Sequence, residues 1–155
     1  MSKRDLSRVL GEEDRARRFA ERIVELCEAG DDEERIGREV EGFLAYLTDD
    51  LEIHLQHEET DLFPALAARG LDVETQEARH QHEQLRTLRR ALFGVPRHDA
   101  KALHDAALAL ALALIRHTAF EKDFLYVDLT QDEARAFREG VDGDRHVPGL
   151  PRSGT

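Results

Sequence analysis

Two residue pairs with identical spacing, His54/Glu58 and His117/Glu121, interrupt stripes of apolar residues that recur every three or four positions. Residues four apart stack on one face of an α-helix, so each pair presents an imidazole and a carboxylate to a single point. The first stripe runs Val40, Phe43 or Leu44, Leu47, Leu51, His54, Glu58, Leu62; the second runs Leu103, Leu110, Leu114, His117, Glu121, Phe124. Both pairs are therefore expected to point into the interior of a helical bundle. An unpartnered carboxylate is strongly disfavoured there, and two facing each other more so. A pair of divalent cations removes that penalty by turning the anions into ligands, which describes a non-haem di-iron or di-manganese site. The alternative is two buried His–Glu pairs hydrogen-bonded without metal, a reading that suits one pair better than two on opposed helices.

The same periodicity predicts four long helices, at about 5–29, 33–68, 73–93 and 99–128. On the first, Leu6, Val9, Ala16, Ala20, Ile23, Val24 and Cys27 lie near one face. Gly30 followed by Asp31-Asp32 reads as a C-cap glycine and an N-cap aspartate. Pro64 lacks an N–H and is expected to bend the second helix locally. On the third, Ala78, Leu85, Leu88 and Leu92 face inward, and His82, three residues before Leu85, falls on the same face while His80 points away. Short connections imply an all-α, antiparallel up-down-up-down four-helix bundle. Thr130-Gln131-Asp132-Glu133 resembles a capping box opening a short terminal helix to residue 139, and 140–155 reads as a mobile tail.

The chain has 155 residues, enough for one domain with a real core. Tryptophan is absent and 41% of residues are apolar, so the core must be mostly Leu, Ala, Val and Ile. A formal charge of −11 argues against a sequence-independent nucleic-acid binder, and most of the charge reads as a solvated, ion-paired helix surface. A single cysteine, Cys27, excludes an internal disulfide and a Cys-based metal site. The N-terminus lacks a signal-like apolar stretch, and the longest charge-free apolar run, Ala106 to Ile115, is short of a membrane span. The expectation is a cytoplasmic monomer or homodimer without nucleic-acid or membrane partners.

At these residues the chain resembles the hemerythrin-like, HHE cation-binding family over roughly 5–128. The resemblance is carried by His-x-x-x-Glu-Glu-x-x-Leu-Phe-Pro at His54 to Pro64, by the His117/Glu121 pair and by His82. It implies a four-helix bundle holding two irons, with Glu58 and Glu121 as bridges and His54, His82 and His117 as terminal ligands. Manganese or zinc suits the ligand types as well. Members usually carry a histidine on helix one, and here none precedes His54. Glu13, on the stripe of Val9, Ala16 and Ala20, could supply a carboxylate instead. Glu12 or Asp14 could do so on a rotated helix, a solvated acidic first turn being the alternative; Asp61, one turn beyond Glu58, is another possible replacement, or else an exposed aspartate.

With that ligand missing, at least one iron keeps open positions, which favours acting on or sensing oxygen, nitric oxide or peroxide over simple oxygen carriage. An iron-handling or delivery protein, and a metal-free helical interaction module, are the other readings. His57, one turn from His54, is expected to hydrogen-bond a ligand. Tyr46 and Tyr126 either line the pocket or pack as ordinary amphipathic residues. His98, His104 and His146 have no assigned role.

Overall fold

The computed structural model describes residues 3–30 and 33–127, and all regular structure among them is helical. Helix α1 spans Lys3–Glu28 and ends at Gly30, whose φ of +65° is a left-handed conformation that glycine adopts without a steric penalty. Helix α2 covers 33–67 and alternates in type. It is α-helical at Glu33–Tyr46, Glu52–His57 and Phe63–Ala67, and π-helical at Leu47–Leu51 and Glu58–Leu62. A second left-handed glycine, Gly70 (φ +96°), leads into α3 (Asp72–Gly94). Asp99 then caps α4 by accepting from the Ala102 amide at 3.1 Å. Helix α4 is α-helical over Ala100–Phe120 and π-helical over Glu121–Leu125. The expected Asp31-Asp32 cap, the capping box, the terminal helix to 139 and the tail lie outside the described residues.

The π turns change two expectations. Pro64 does not simply bend α2: the Phe63 amide reaches back five residues to the Glu58 carbonyl. The Glu59 carbonyl, deprived of a donor by Pro64, accepts from Arg79 at 3.0 Å. On α4, the Tyr126 amide likewise bonds the Glu121 carbonyl at 2.7 Å. That widened turn rotates the chain, so Phe124 is 56% exposed while Leu125 and Tyr126 occupy the inward positions, each 1% exposed. The step of three from Glu121 to Phe124 holds only for an uninterrupted α-helix.

Helix α4 packs against both α1 and α3, and α1 also packs on α2. By length and composition alone Ala100–Leu125 could cross a membrane, and 39% of its most apolar window is buried inside the fold. The interior forms two apolar clusters. One gathers Ala16, Ala20, Ile23, Val40, Phe43, Leu47, Leu51, Leu85, Leu110 and Leu114. The other gathers Val9, Leu62, Phe63, Leu66, Ala78, Leu125 and Tyr126. Full burial of each large side chain contributes about 1.5–3 kcal/mol. Cys27 is a buried free thiol. Outside, pairs such as Arg15–Asp50 and Lys101–Asp105 bear out the ion-paired surface and add little stability.

Candidate metal centre

A polar layer separates the two clusters, and the helical repeat places it there. On α1, Glu13 lies between Val9 of one cluster and Ala16 of the other; on α3, His82 lies between Ala78 and Leu85. On α4, His117 and Glu121 stand between Leu114 and Leu125, and on α2, His54 and Glu58 stand between Leu51 and Leu62. All of them are buried, from 0% exposure for Glu58, His82 and Glu121 to 8% for Glu13. They fall into two groups whose candidate ligand atoms lie within 4.8 Å of one another: Glu58, His82, His117 and Glu121, and Glu13, His54 and Glu58. Glu58 belongs to both. Among the helix-one candidates, then, Glu13 turns inward while Asp14 is exposed and paired with Arg17. Asp61 is exposed as well.

His54 Nε2 lies 2.9 Å from Glu13 Oε2 and 2.9 Å from Glu58 Oε1. His82 Nε2 lies 3.5 Å from Glu58 Oε1 and 3.8 Å from Glu121 Oε1, and His117 Nε2 abuts Glu121 Oε1. The His82 and His117 rings meet edge to face, 4.8 Å apart. Despite this crowding, Glu13 Oε1, Glu58 Oε1, His82 Nε2, His117 Nε2 and Glu121 Oε1 are buried without a hydrogen-bond partner. Buried polar atoms are rarely left so. Oxygen and imidazole nitrogen atoms converging on one space are the donor set of a divalent cation such as iron, manganese or zinc, so these residues fit one.

The electrostatics show the strain of a carboxylate-rich interior. Burial and the charge of Glu58 push the Glu13 carboxyl up to about 7. Burial, with the charges of Glu13 and Glu58, holds Glu121 well above the usual carboxylate range. At Glu58 burial also pushes upward, but the neighbouring His54 charge prevails and the carboxyl sits well below its ordinary value. His54 is raised well above a normal imidazole: burial opposes the shift, and Glu58 together with hydrogen bonds to Glu12 and Glu13 overcomes it. His117 is pulled down to about 3 by burial and the nearby His82 charge, so its ring is neutral.

Glu59 and Gln81 were not apparent as site residues in the sequence, and Tyr126 and Glu12, weighed there as a pocket residue and a possible ligand, take other parts. The Tyr126 hydroxyl is in hydrogen-bond contact with both Glu58 and Glu121, its single proton serving one carboxylate at a time; in the π turn, five residues bring it back over Glu121. Each imidazole also has a partner on its outer nitrogen: Glu12 for His54, Glu59 for His82 and Gln81 for His117, at 2.9, 2.8 and 2.9 Å. Each partner is the chain neighbour of an inward residue, a signal present in the sequence but indistinguishable there from ordinary surface polarity. His57 does not take such a role; its ring meets the Arg8 guanidinium at 3.2 Å. Tyr46 stacks on Phe19, with ring centres 4.6 Å apart, and borders a small cleft at His54.

Solvent approaches the layer through clefts. One of about 220 Å³, lined by Leu10, Glu13, Arg17, Thr118, Lys122 and Tyr126, reaches Glu13 and Tyr126. Two others are lined by His54 with Glu12 and by His117 with Gln81.

A family model for the hemerythrin HHE cation-binding domain matches residues 5–127. No curated protein and no solved structure matches the chain significantly. The matched span holds all four helices and every member of the polar layer, and the chain belongs to the hemerythrin HHE cation-binding family.

Proposed function

We propose that this chain is a non-haem di-metal protein, with iron the expected metal, that acts on or senses oxygen, nitric oxide or peroxide. The observation that carries the reading is a single carboxylate, Glu58, common to two groups of buried ligand atoms, most of which have no other partner. In this reading Glu58, His82, His117 and Glu121 hold one cation. Glu13 and His54, with Glu58 as a bridge, hold the other, and Glu121 is the second bridge. Glu13 thereby stands where the family usually has a histidine. When bound, the metal pair supplies Lewis-acid and redox chemistry at its open positions.

The protein's own contribution is positional. With both shared carboxylates counted, each cation would have four protein ligands, His82 and His117 on one side and Glu13 and His54 on the other, and the cleft that reaches Glu13 gives a small molecule its approach there. Tyr126 positions Glu58 and Glu121 through hydrogen-bond contact of its hydroxyl with both carboxyl groups. The apolar clusters above and below exclude bulk water. The reading takes the four helices as an antiparallel bundle, cytoplasmic, in a monomer or homodimer. An iron-handling role is the second reading, favoured by the cleft that reaches Glu13, through which a cation would exchange.

Metal content per chain, with an ultraviolet–visible spectrum, tests the proposal on protein expressed with iron and purified without chelators. Two irons with near-ultraviolet charge-transfer bands support it. Rapid loss of iron to a mild chelator favours the handling role. No metal after iron-replete expression and anaerobic reconstitution overturns both.

A further inference from the structure

We infer that Glu59, anchored by Arg86, is a positioning residue that fixes the tautomer and orientation of His82, within a ring of supports completed by Glu12 and Gln81. The inference rests on the di-metal reading for its consequence, and on hydrogen-bond geometry for its existence.

The three supports follow one rule around the molecule. Glu12 of α1 serves His54 of α2, Glu59 of α2 serves His82 of α3, and Gln81 of α3 serves His117 of α4. Consecutive helix positions diverge by about 100°, so when Glu13, Glu58 or His82 faces the interior its neighbour sits at the seam with the next helix. An ionised carboxylate only accepts, so the Glu59 contact requires a proton on His82 Nδ1 and, in the neutral ring, leaves the Nε2 lone pair aimed inward.

Glu59 is the most firmly held of the three. Arg86 donates to its two oxygens at 2.9 and 3.2 Å, a bidentate arrangement that restricts rotation of the carboxylate. Arg86 is itself tied to Glu52 at 3.0 Å, and Arg89 secures the other oxygen of Glu52 at 2.9 Å. The Glu59 carboxyl lies at about 2: its partial burial would raise it, but hydrogen bonds from His82 and Arg86 dominate. Gln81 offers His117 only a neutral amide oxygen. His82 is therefore the better electron donor of the two imidazoles in the four-ligand group, because a carboxylate partner raises the basicity of the ligating ring.

Cobalt(II) titration of the full chain, with proton NMR of the exchangeable imidazole signals, tests this. Glu59→Gln should weaken cobalt binding by roughly 10–100-fold and displace the His82 Nδ1–H signal, without changing the number of cobalts bound. Arg86→Gln should act in the same direction, and Asp105→Asn, in the exposed Lys101–Asp105 pair, should do neither. Unchanged affinity with an unmoved signal in Glu59→Gln overturns the inference. If wild-type protein takes up no cobalt, the di-metal reading fails on its own. Solvent protection of His82 Nδ1–H in the metal-free protein then still decides: it should be present in wild type and lost in Glu59→Ala, and equal protection in both refutes the positioning role.

Discussion

Removing the Glu58 carboxylate should abolish both halves of the metal centre, whereas removing His54 or His117 should abolish one. The difference follows from geometry: Glu58 Oε1 lies 2.9 Å from His54 Nε2 and 3.5 Å from His82 Nε2, and Glu58 is the residue common to both groups. The magnitude can be set by mass action. A cation at a hundredfold its dissociation constant adds about 2.7 kcal/mol to the folded state. In a domain of this size each kcal/mol moves Tm by about 2–4 °C. Each cation is thus worth roughly 5–11 °C, and the pair roughly 11–22 °C. Calorimetric melts with and without metal, each variant referred to its own chelated form, remove the packing penalty of truncation from the comparison. His54→Ala and His117→Ala should each keep about half of the metal increment and one metal per chain, and Glu58→Ala should keep neither. A Glu58→Ala protein that retains either increment would refute the shared-ligand geometry.

Tyr126→Phe keeps the ring in its cluster but removes the hydroxyl that Glu58 and Glu121 share, and should lower the stability of the metal-free protein by about 1.5–3 kcal/mol in urea melts; an unchanged midpoint would count against that hydrogen bonding. Burial, with the Glu58 charge, raises Glu13 from 4.5 to about 7, so between those values the folded state keeps a proton that the unfolded chain has lost. Its contribution to metal-free stability therefore declines as pH rises across that window, by on the order of 3 kcal/mol. Chelated wild type compared with Glu13→Gln from pH 4.5 to 8 isolates the effect, and parallel curves would contradict the assignment. Leu110→Ala, at a core residue with 0% exposure, should cost about 2–5 kcal/mol while leaving metal stoichiometry unchanged, which metal analysis of the folded variant checks.

The inward polar residues were legible because a stripe of apolar residues at steps of three and four belongs to one helix face, and any polar residue in such a slot must share that face. His54, Glu58, His82, His117, Glu121 and Glu13 all lie in such slots, and the structure gathers them into one layer. The π turns were not legible. An added residue in a helical turn leaves composition and propensity untouched, so Phe124 was expected inside where Leu125 belongs, and the path of Tyr126 back to the glutamates was hidden. Glu58 and Glu121 each open such a turn, a local distortion common where helices carry functional groups. His57 was expected as a support by its nearness to His54 along α2, yet that part is played by Glu12 from α1. Contacts between helices depend on which neighbour a seam position meets, and spacing within one helix carries no such information.

The succession of supports from α1 to α2 to α3 to α4 has a consequence for how the chain chooses its fold. Leucine and alanine stripes are nearly interchangeable, and four such helices could exchange neighbours while burying similar apolar area. A bundle in which α2 and α4 traded places would present His54 to Gln81 and take Glu59 away from His82, orphaning polar groups whose present partners stand at 2.8–2.9 Å. The polar layer thus penalises misordered bundles that the apolar stripes alone would tolerate.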